Sequence, residues 1–517
     1  MTKVRTVYVL ALFAGFCAAI ISYTIPFFPY AYDSAFYIDQ ARSFLAKGIF
    51  EVTPFGTENA DLISIPDRLF PPGFPLLMVL SSILLPLSVE VIAPFLSLLA
   101  LFILPTVVVF SFQRVLGLWT TLWIGSLISL TPATIRHGYL AYTDILSLAL
   151  VIYAVNRLLT AGHKTSYWLW LGLLTGFSYL LRYANLSLLV SIFIYLTWIF
   201  IIEPKNRKQI FKNGLVWLGA NALIVVPWLI RNFLVFGEFQ PYQMEPSKVS
   251  LGENIHDYLK AQLDILLGLN DLDKILANHL WGLVLLVILV TIFIYQLMTT
   301  WHHWKKIEQQ TFFIAVVYSV VGAAMVIAAR TKYEWGIHIV DRYTLPYSFF
   351  IIVALIIIFK NSHLINIRNY LPLGLAMTLL IVRIWELPKL YEYNQYQQKI
   401  LQAARHIKVN NDIICTPRDD RFAVSNMGYI YNIQCASSVR HVYAPFQETN
   451  FLDDYLKVWA EFGAKRGIVV SLFPYADYEK NQLPLLQESV KKLNALGWQI
   501  EHNDKENLIL IHNATSH

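Results

Sequence analysis

Two kinds of residue in this 517-residue chain could do chemistry where they stand: isolated aspartates, and arginines set among aromatics and prolines. Asp33 follows the first apolar run, in Tyr32-Asp33-Ser34-Ala35-Phe36-Tyr37, where the chain leaves a hydrocarbon setting. A carboxylate in that partly dehydrated place can serve as general base toward a hydroxyl or an amine. Position alone equally describes a helix cap or a headgroup-level charge. Asp144, in Tyr142-Thr143-Asp144, opens a later apolar segment, where an aspartate is also a good helix N-cap. Arg136, Arg182, Arg231, Arg330 and Arg342 fall at successive ends of apolar runs, in settings such as Leu181-Arg182-Tyr183 and Asp341-Arg342-Tyr343. Guanidinium groups grip phosphate bidentately and keep their charge when desolvated. Any one of them fits snorkelling to lipid headgroups; several acting together fit a phosphate ligand, with Arg136, Arg182, Arg231 and Arg342 as the candidates. Tyr37, Arg68, Tyr343 and His338 are candidate substrate contacts, although a surface histidine describes His338 as well.

The elements that must position these residues are membrane helices. The chain is 56% hydrophobic and 14% charged, against about 25% charged in soluble domains, and apolar runs of 18 or more residues recur along it. The net charge of +6 is dispersed or held in short loops and says little about nucleic acid, which is not an expected partner. The first run, 7–28 behind Lys3 and Arg5, exceeds the 7–15 apolar residues of a signal peptide and is expected to stay as a first helix. Further spans are expected at 89–112, 117–132, 143–160, 167–183, 185–202, 213–233, 279–300, 311–330, 345–360 and 369–387.

The run 73–86 would reach only about 21 Å as a helix, short of the roughly 30 Å hydrocarbon core. If it does not cross, Arg114, Lys164, the Lys205–Lys212 cluster, Lys305, Lys306, Lys360 and Arg368 share the side of Lys3 and Arg5. That arrangement obeys the positive-inside rule; the alternative reverses all of them. The expected architecture is a polytopic α-helical membrane protein of about eleven spans, amino terminus cytoplasmic and carboxyl terminus outside. The 73–86 stretch is then a re-entrant or interfacial helix on the outer face.

Three regions face outward on this reading: a first loop over 29–88, a second over 234–278, and the tail. The first loop carries an expected interfacial helix with a Phe36, Ala41, Phe44 and Leu45 stripe, then Glu51, Glu58, Asp61 and Asp67. In the tail, short apolar segments at Asp412–Cys415, Gly467–Leu472 and Leu508–Ile511 alternate with helix-like stretches at Phe451–Phe462 and Pro484–Leu496, the rhythm of a small α/β domain. The expected domains are 1–389, transmembrane, and 390–517, an extracytoplasmic α/β domain. Cys17 lies in the first helix; Cys415 and Cys435 are either a disulfide or two free thiols.

Asp33…Tyr37…Ala41-Arg42…Leu45…Gly48, followed by Pro71-Pro72-Gly73-Phe74-Pro75-Leu76-Leu77, resembles the opening of the GT-C glycosyltransferases. Specifically it is similar to the branch holding protein O-mannosyltransferases and the aminoarabinose transferase of lipid A. Tyr142-Thr143-Asp144 resembles a second acidic element of that branch. The resemblance covers about residues 1–390 in architecture and 30–80 in motif. It implies sugar transfer from a polyprenyl-phosphate donor to a protein, lipid A or envelope-glycan acceptor, at a site shaped by Asp33 and Asp144. Where the family often has Asp-Glu, this chain has Asp33-Ser34, so no role needing two adjacent carboxylates is implied, metal binding there included. A divalent metal is compatible with the sequence and not required by it. A lipid or solute transporter, or flippase, would show internal repeats and midplane charges, which this chain lacks. A surface-polysaccharide ligase on another membrane fold would lack the Asp33-to-Pro75 loop. The chain's size points to a bacterial inner membrane.

Overall fold

The computed structural model describes residues 2–24, 32–52, 65–162, 164–241, 246–267, 295, 297–333, 341–361, 371–387, 421–424, 441–443, 464–470, 498–504 and 508–513. The chain divides into two compact units. One contains Met1–Tyr23, Arg68–Phe74 and Phe95–Pro388; the other contains Thr24–Asp67, Pro75–Pro94 and Lys389–His517.

The described helices are α1 (Thr2–Thr24), α2 (Tyr32–Lys47), α3 (Gly73–Leu84), α4 (Val89–Leu116), α5 (Leu118–Ser129), α6 (Pro132–Gly138), α7 (Asp144–Thr160), α8 (Thr165–Leu181), α9 (Leu186–Ile202), α10 (Arg207–Phe236), α11 (Leu251–Leu267), α12 (Lys306–Lys332), α13 (Asp341–Lys360) and α14 (Leu371–Glu386). Among the described residues, six helices are long and apolar enough to cross a membrane: α1, α4, α9 with its preceding turn, α10, α12 and α13. A bent pair, α5 and α6 meeting at 63°, makes a seventh if counted as one span. The helices α7 and α8 have 17 residues each and α14 has 16, on three further expected spans. At 1.5 Å per residue they reach about 25 Å, slightly less than the hydrocarbon core. The expected span 279–300 lies largely outside the described residues. The apolar 73–86 run forms α3, whose 12 residues extend only about 18 Å.

Small residues and buried polar groups hold the helical unit together, as expected where lipid removes any hydrophobic drive between helices. Gly172 and Gly176 let α8 approach α10 so closely that an added Cβ at Gly176 would stand 3.1 Å from the Asn221 carbonyl oxygen. In that contact Trp217 Nε1–H and Asn221 Nδ2–H donate to Thr175 Oγ1 at 3.1 and 3.0 Å. Elsewhere the core is aromatic: Phe112 of α4 packs on Phe349 and Phe350 of α13, with centroids 5.8 and 6.3 Å apart.

In the second unit, α2 is buried on all sides from Ser34 to Ala41 rather than along one stripe, and its end, with Leu45, is exposed. Gly48, at φ 73°, stops it. Strands β1 (Glu51–Val52) and β2 (Ile65–Pro66) pair antiparallel. The tail contributes β3 (Arg421–Val424), β4 (His441–Tyr443), β5 (Ala464–Val470), β6 (Trp498–Asp504) and β7 (Leu508–Asn513), ordered β4-β3-β5-β7-β6. β3 runs parallel to β4 and β5, whereas β7 runs antiparallel to β5 and β6. The short 505–507 connection leaves no room for a crossover, so β6 and β7 must be antiparallel. The expected strand at Asp412–Cys415, both tail helices, Cys415 and Cys435 lie outside the described residues.

Candidate active site

Arg182 stands where α8 ends, in extended backbone between that helix and the 3-10 turn Tyr183–Asn185. The turn is anchored by Asn185, whose Nδ2 donates to Ser147 Oγ (2.8 Å), Ser178 O (2.9 Å) and Ser178 Oγ (2.8 Å). Those contacts tie the start of α7 to the end of α8 and leave Asn185 buried, which removes it as a glycan acceptor despite its Asn-Leu-Ser sequence. The result is a part-buried ion pair: Arg182 Nη1 donates to Asp144 Oδ1. Asp144 is the first residue of α7, and its carboxylate pairs with Arg182; the N-cap position is Thr143, which makes no side-chain cap bond.

Arg182 also lies over the Tyr343 ring, 5.8 Å from its centroid. Arg342, one residue earlier on α13, lies 4.9 Å from the ring centroids of both Tyr142 and Tyr343. His137 stacks on Tyr142 at 6.0 Å, and its Nε2 stands 3.7 Å from Asp341 Oδ1. Arg136 Nη2 donates to the other oxygen of Asp341. Three guanidiniums and two carboxylates thus gather where α6, α7, α8 and α13 meet. Tyr139, between α6 and α7, stands edge-on to Tyr23 at 5.2 Å, and burial raises its phenol above the ordinary range.

A second cationic pair lies in the same unit. Arg68 and Arg231 share one ring, their guanidinium carbons 4.9 and 5.2 Å from the Phe236 centroid. Arg231 also lies 4.7 Å from Trp228, whose Nε1–H donates to Tyr183 Oη at 2.8 Å, next in sequence to Arg182. Gly73 explains how the Arg68 segment fits: a Cβ there would stand 2.6 Å from the Leu180 carbonyl carbon and 2.7 Å from the Leu181 nitrogen. Only glycine permits that approach to the backbone just ahead of Arg182.

In the second unit Asp33 lies in the first turn of α2, and Tyr37 is buried one turn later. The neighbouring acids are engaged structurally: Gln40 donates to Asp67, Lys47 pairs with Glu51 at 2.8 Å, and Arg42 pairs with Glu90 at 2.6 Å and Asp39 at 3.5 Å. Glu58, Asp61 and His338 lie outside the described residues. Among the described residues no three His, Cys, Asp or Glu side chains group as metal ligands. The sequence does not single out His137, and Asp341 stands in it only as the setting of Arg342. The adjacent pairs Arg136-His137 and Asp341-Arg342 were the available signal, and their meeting depends on 205 residues of intervening chain.

The fold and site define a helical membrane protein with arginines and carboxylates gathered at helix ends. No family model matches the chain, and no curated protein resembles it in sequence. Among solved structures it is similar to ArnT from Cupriavidus metallidurans bound to undecaprenyl phosphate, at TM-score 0.56 and 11% identity, covering 100% of this chain and 98% of that one. The same protein in the apo state gives 0.53 and 12%, covering 98% of each chain. The archaeal oligosaccharyltransferase AglB from Archaeoglobus fulgidus, in complex with an inhibitory peptide and a dolichol-phosphate, gives 0.52 and 12%, covering 91% of this chain and 70% of that one. These likenesses are of fold: the chain shares the fold of these solved structures.

Proposed function

We propose that this protein is a membrane glycosyltransferase that moves a sugar from a polyprenyl-phosphate donor to an acceptor at the extracytoplasmic face, with inversion at the anomeric carbon. The observation that carries the reading is the pairing of Arg68 and Arg231 on Phe236, joined through Trp228 and Tyr183 to the Arg182–Asp144 pair. Convergent guanidiniums at membrane helix ends suit a phosphate at headgroup depth whose lipid tail stays in hydrocarbon. Solved structures of the same fold hold undecaprenyl phosphate and a dolichol-phosphate.

In the proposed reaction an acceptor hydroxyl or amine attacks the anomeric carbon. The bond from that carbon to the phosphate oxygen breaks, and polyprenyl phosphate leaves with the electron pair. Arg68, Arg231, Arg182 and Arg342 stabilise the charge that develops on it. Asp33 takes the acceptor's proton as general base, and Asp144 holds Arg182 in place. Arg136 is engaged by Asp341 and is assigned to holding α6 on α13. Tyr37, Tyr343 and His338 are assigned to substrate contact. The acceptor is a protein, lipid A or another envelope glycan, met by the tail domain from about residue 390. The helices α7, α8 and α14, the bent pair and the 279–300 run complete about eleven spans, with the amino terminus cytoplasmic, in a bacterial inner membrane.

Binding of polyprenyl phosphate to the purified protein, read by protection against thermal unfolding, tests the reading. Saturable stabilisation that Arg231→Ala weakens supports it. No stabilisation by any polyprenyl phosphate would remove the donor, and with it the proposed reaction.

A further inference from the structure

Helix α11 falls in the stretch expected to be an aqueous loop, yet its contacts place it among membrane helices. Near its start, Asn254 Nδ2 donates to Thr331 Oγ1 at 3.1 Å, in the last turn of the membrane-crossing α12. Two turns later, Gln262 Oε1 accepts from Ser348 Oγ at 2.7 Å, and Gln262 Nε2 donates to Tyr258 Oη at 2.8 Å. Ser348 lies roughly 10 Å along α13 from Asp341. The helices α12 and α13 pack together, Ser319 Oγ donating to Tyr347 O at 3.1 Å, and only residues 333–340 separate them, so Lys332 and Asp341 lie at one membrane face. Between Asn254 and Gln262, α11 rises about 12 Å. It therefore descends steeply from the membrane boundary into the depth of the spanning helices.

Its faces are sorted to match. Asn254, Tyr258, Ala261, Gln262 and Ile265 are buried against the bundle. Leu251, Ile255 and Leu259, each four residues from the last, are 55%, 41% and 47% exposed, and Leu263 continues the row. A soluble loop helix turns its amides outward; here Asn254 and Gln262 face in beside Tyr258, Ala261 and Ile265, while Leu251, Ile255 and Leu259 face out and Leu263 is half-buried. At the depth fixed by Ser348, hydrocarbon is the surrounding that rewards this inversion. The remaining arc carries Glu253, His256, Asp257, Lys260 and Asp264: the first two are exposed near the boundary end, and the other three are half-buried against the protein.

We propose that Leu251–Leu267 is a re-entrant helix inserted into the leaflet at the Lys332 and Asp341 end, with Ile255, Leu259 and Leu263 against lipid acyl chains. Its hydrogen bonds to Thr331 and Ser348 then brace the helices that carry Arg330 and Arg342 at headgroup depth. The proposal holds whether or not the chain transfers sugar.

Single cysteines in full-length protein lacking Cys17, Cys415 and Cys435, reconstituted in lipid nanodiscs, provide the test. Leu259→Cys and Leu263→Cys should resist a membrane-impermeant maleimide, and a bimane attached at either site in detergent should lose fluorescence when brominated lipids replace ordinary ones. Glu253→Cys should react with the maleimide and keep its bimane fluorescence. Ser348→Ala, which leaves the stripe intact, should not restore maleimide reaction at 259. Full maleimide reaction at both 259 and 263, with no quenching by brominated lipid, would place α11 in water and overturn the proposal.

Discussion

Arg182 and Asp144, 38 residues apart, form a part-buried ion pair that joins the end of α8 to the start of α7. Removing Arg182 leaves Asp144 as an unpaired buried charge, which typically costs about 3–5 kcal/mol; removing Asp144 leaves the half-buried Arg182 and costs less. Arg182→Ala should therefore lower the thermal unfolding midpoint sharply, and Asp144→Ala should lower it less. The double variant should be less unstable than the two losses added, by roughly 0.5–3 kcal/mol. Strict additivity in that cycle would mean the two side chains do not act as a pair.

Arg231 and Arg68 should govern donor affinity. Losing one charge-assisted hydrogen bond costs about 1.5–3 kcal/mol, so Arg231→Ala should weaken polyprenyl-phosphate binding roughly 10- to 150-fold. Phe236→Leu removes only the shared ring, a loss of about 0.5–2 kcal/mol per cation, and should weaken binding less. Titration of each purified variant with polyprenyl phosphate measures both. Equal binding by wild type and Arg231→Ala would place the phosphate elsewhere.

Gly73 should tolerate no side chain. Its missing Cβ faces backbone atoms of Leu180 and Leu181 at 2.6 and 2.7 Å, and backbone cannot swing aside as a side chain can. Overpacking of this kind costs about 1–3 kcal/mol. Gly73→Ala should lower the unfolding midpoint and raise the donor KM, because it pushes the Arg68 segment away from the end of α8. Unchanged stability together with unchanged KM would show that the segment is not seated as described.

Much of this was legible in sequence, and the limits were physical. The spanning helices announce themselves because hydrocarbon demands long apolar runs. The arginines stood out singly because each is set at the end of such a run. Their partners did not: Arg136 meets Asp341 across 205 residues, and nothing local marks either as the other's counter-ion. The stripe Phe36, Ala41, Phe44 and Leu45 suggests an interfacial α2, yet Ser34, Asp39 and Gln40 beside it are buried as well. Their burial depends on hydrogen bonds such as Gln40 to Asp67, which periodicity does not reveal. The α11 segment escaped notice because its buried face mixes Asn254 and Gln262 with Tyr258, Ala261 and Ile265, so no clean apolar stripe marks it.

The membrane path of α3 carries the topology. If 73–86 does not cross, Arg114→Cys in intact cells should be shielded from an impermeant thiol reagent added outside. Labelling of that position from outside would reverse the expected sidedness of the arginine-bearing helix ends.

Turnover by the purified protein tests the central claim most directly. With a polyprenyl-phosphate sugar and an acceptor, a glycosyltransferase releases one polyprenyl phosphate for each glycoside formed, with inverted anomeric configuration. If Asp33 is the base, Asp33→Asn should lower that rate by roughly 100-fold or more, with little change in unfolding midpoint. Passage of the intact donor across a liposome membrane with no release of polyprenyl phosphate would contradict sugar transfer and indicate a lipid transporter.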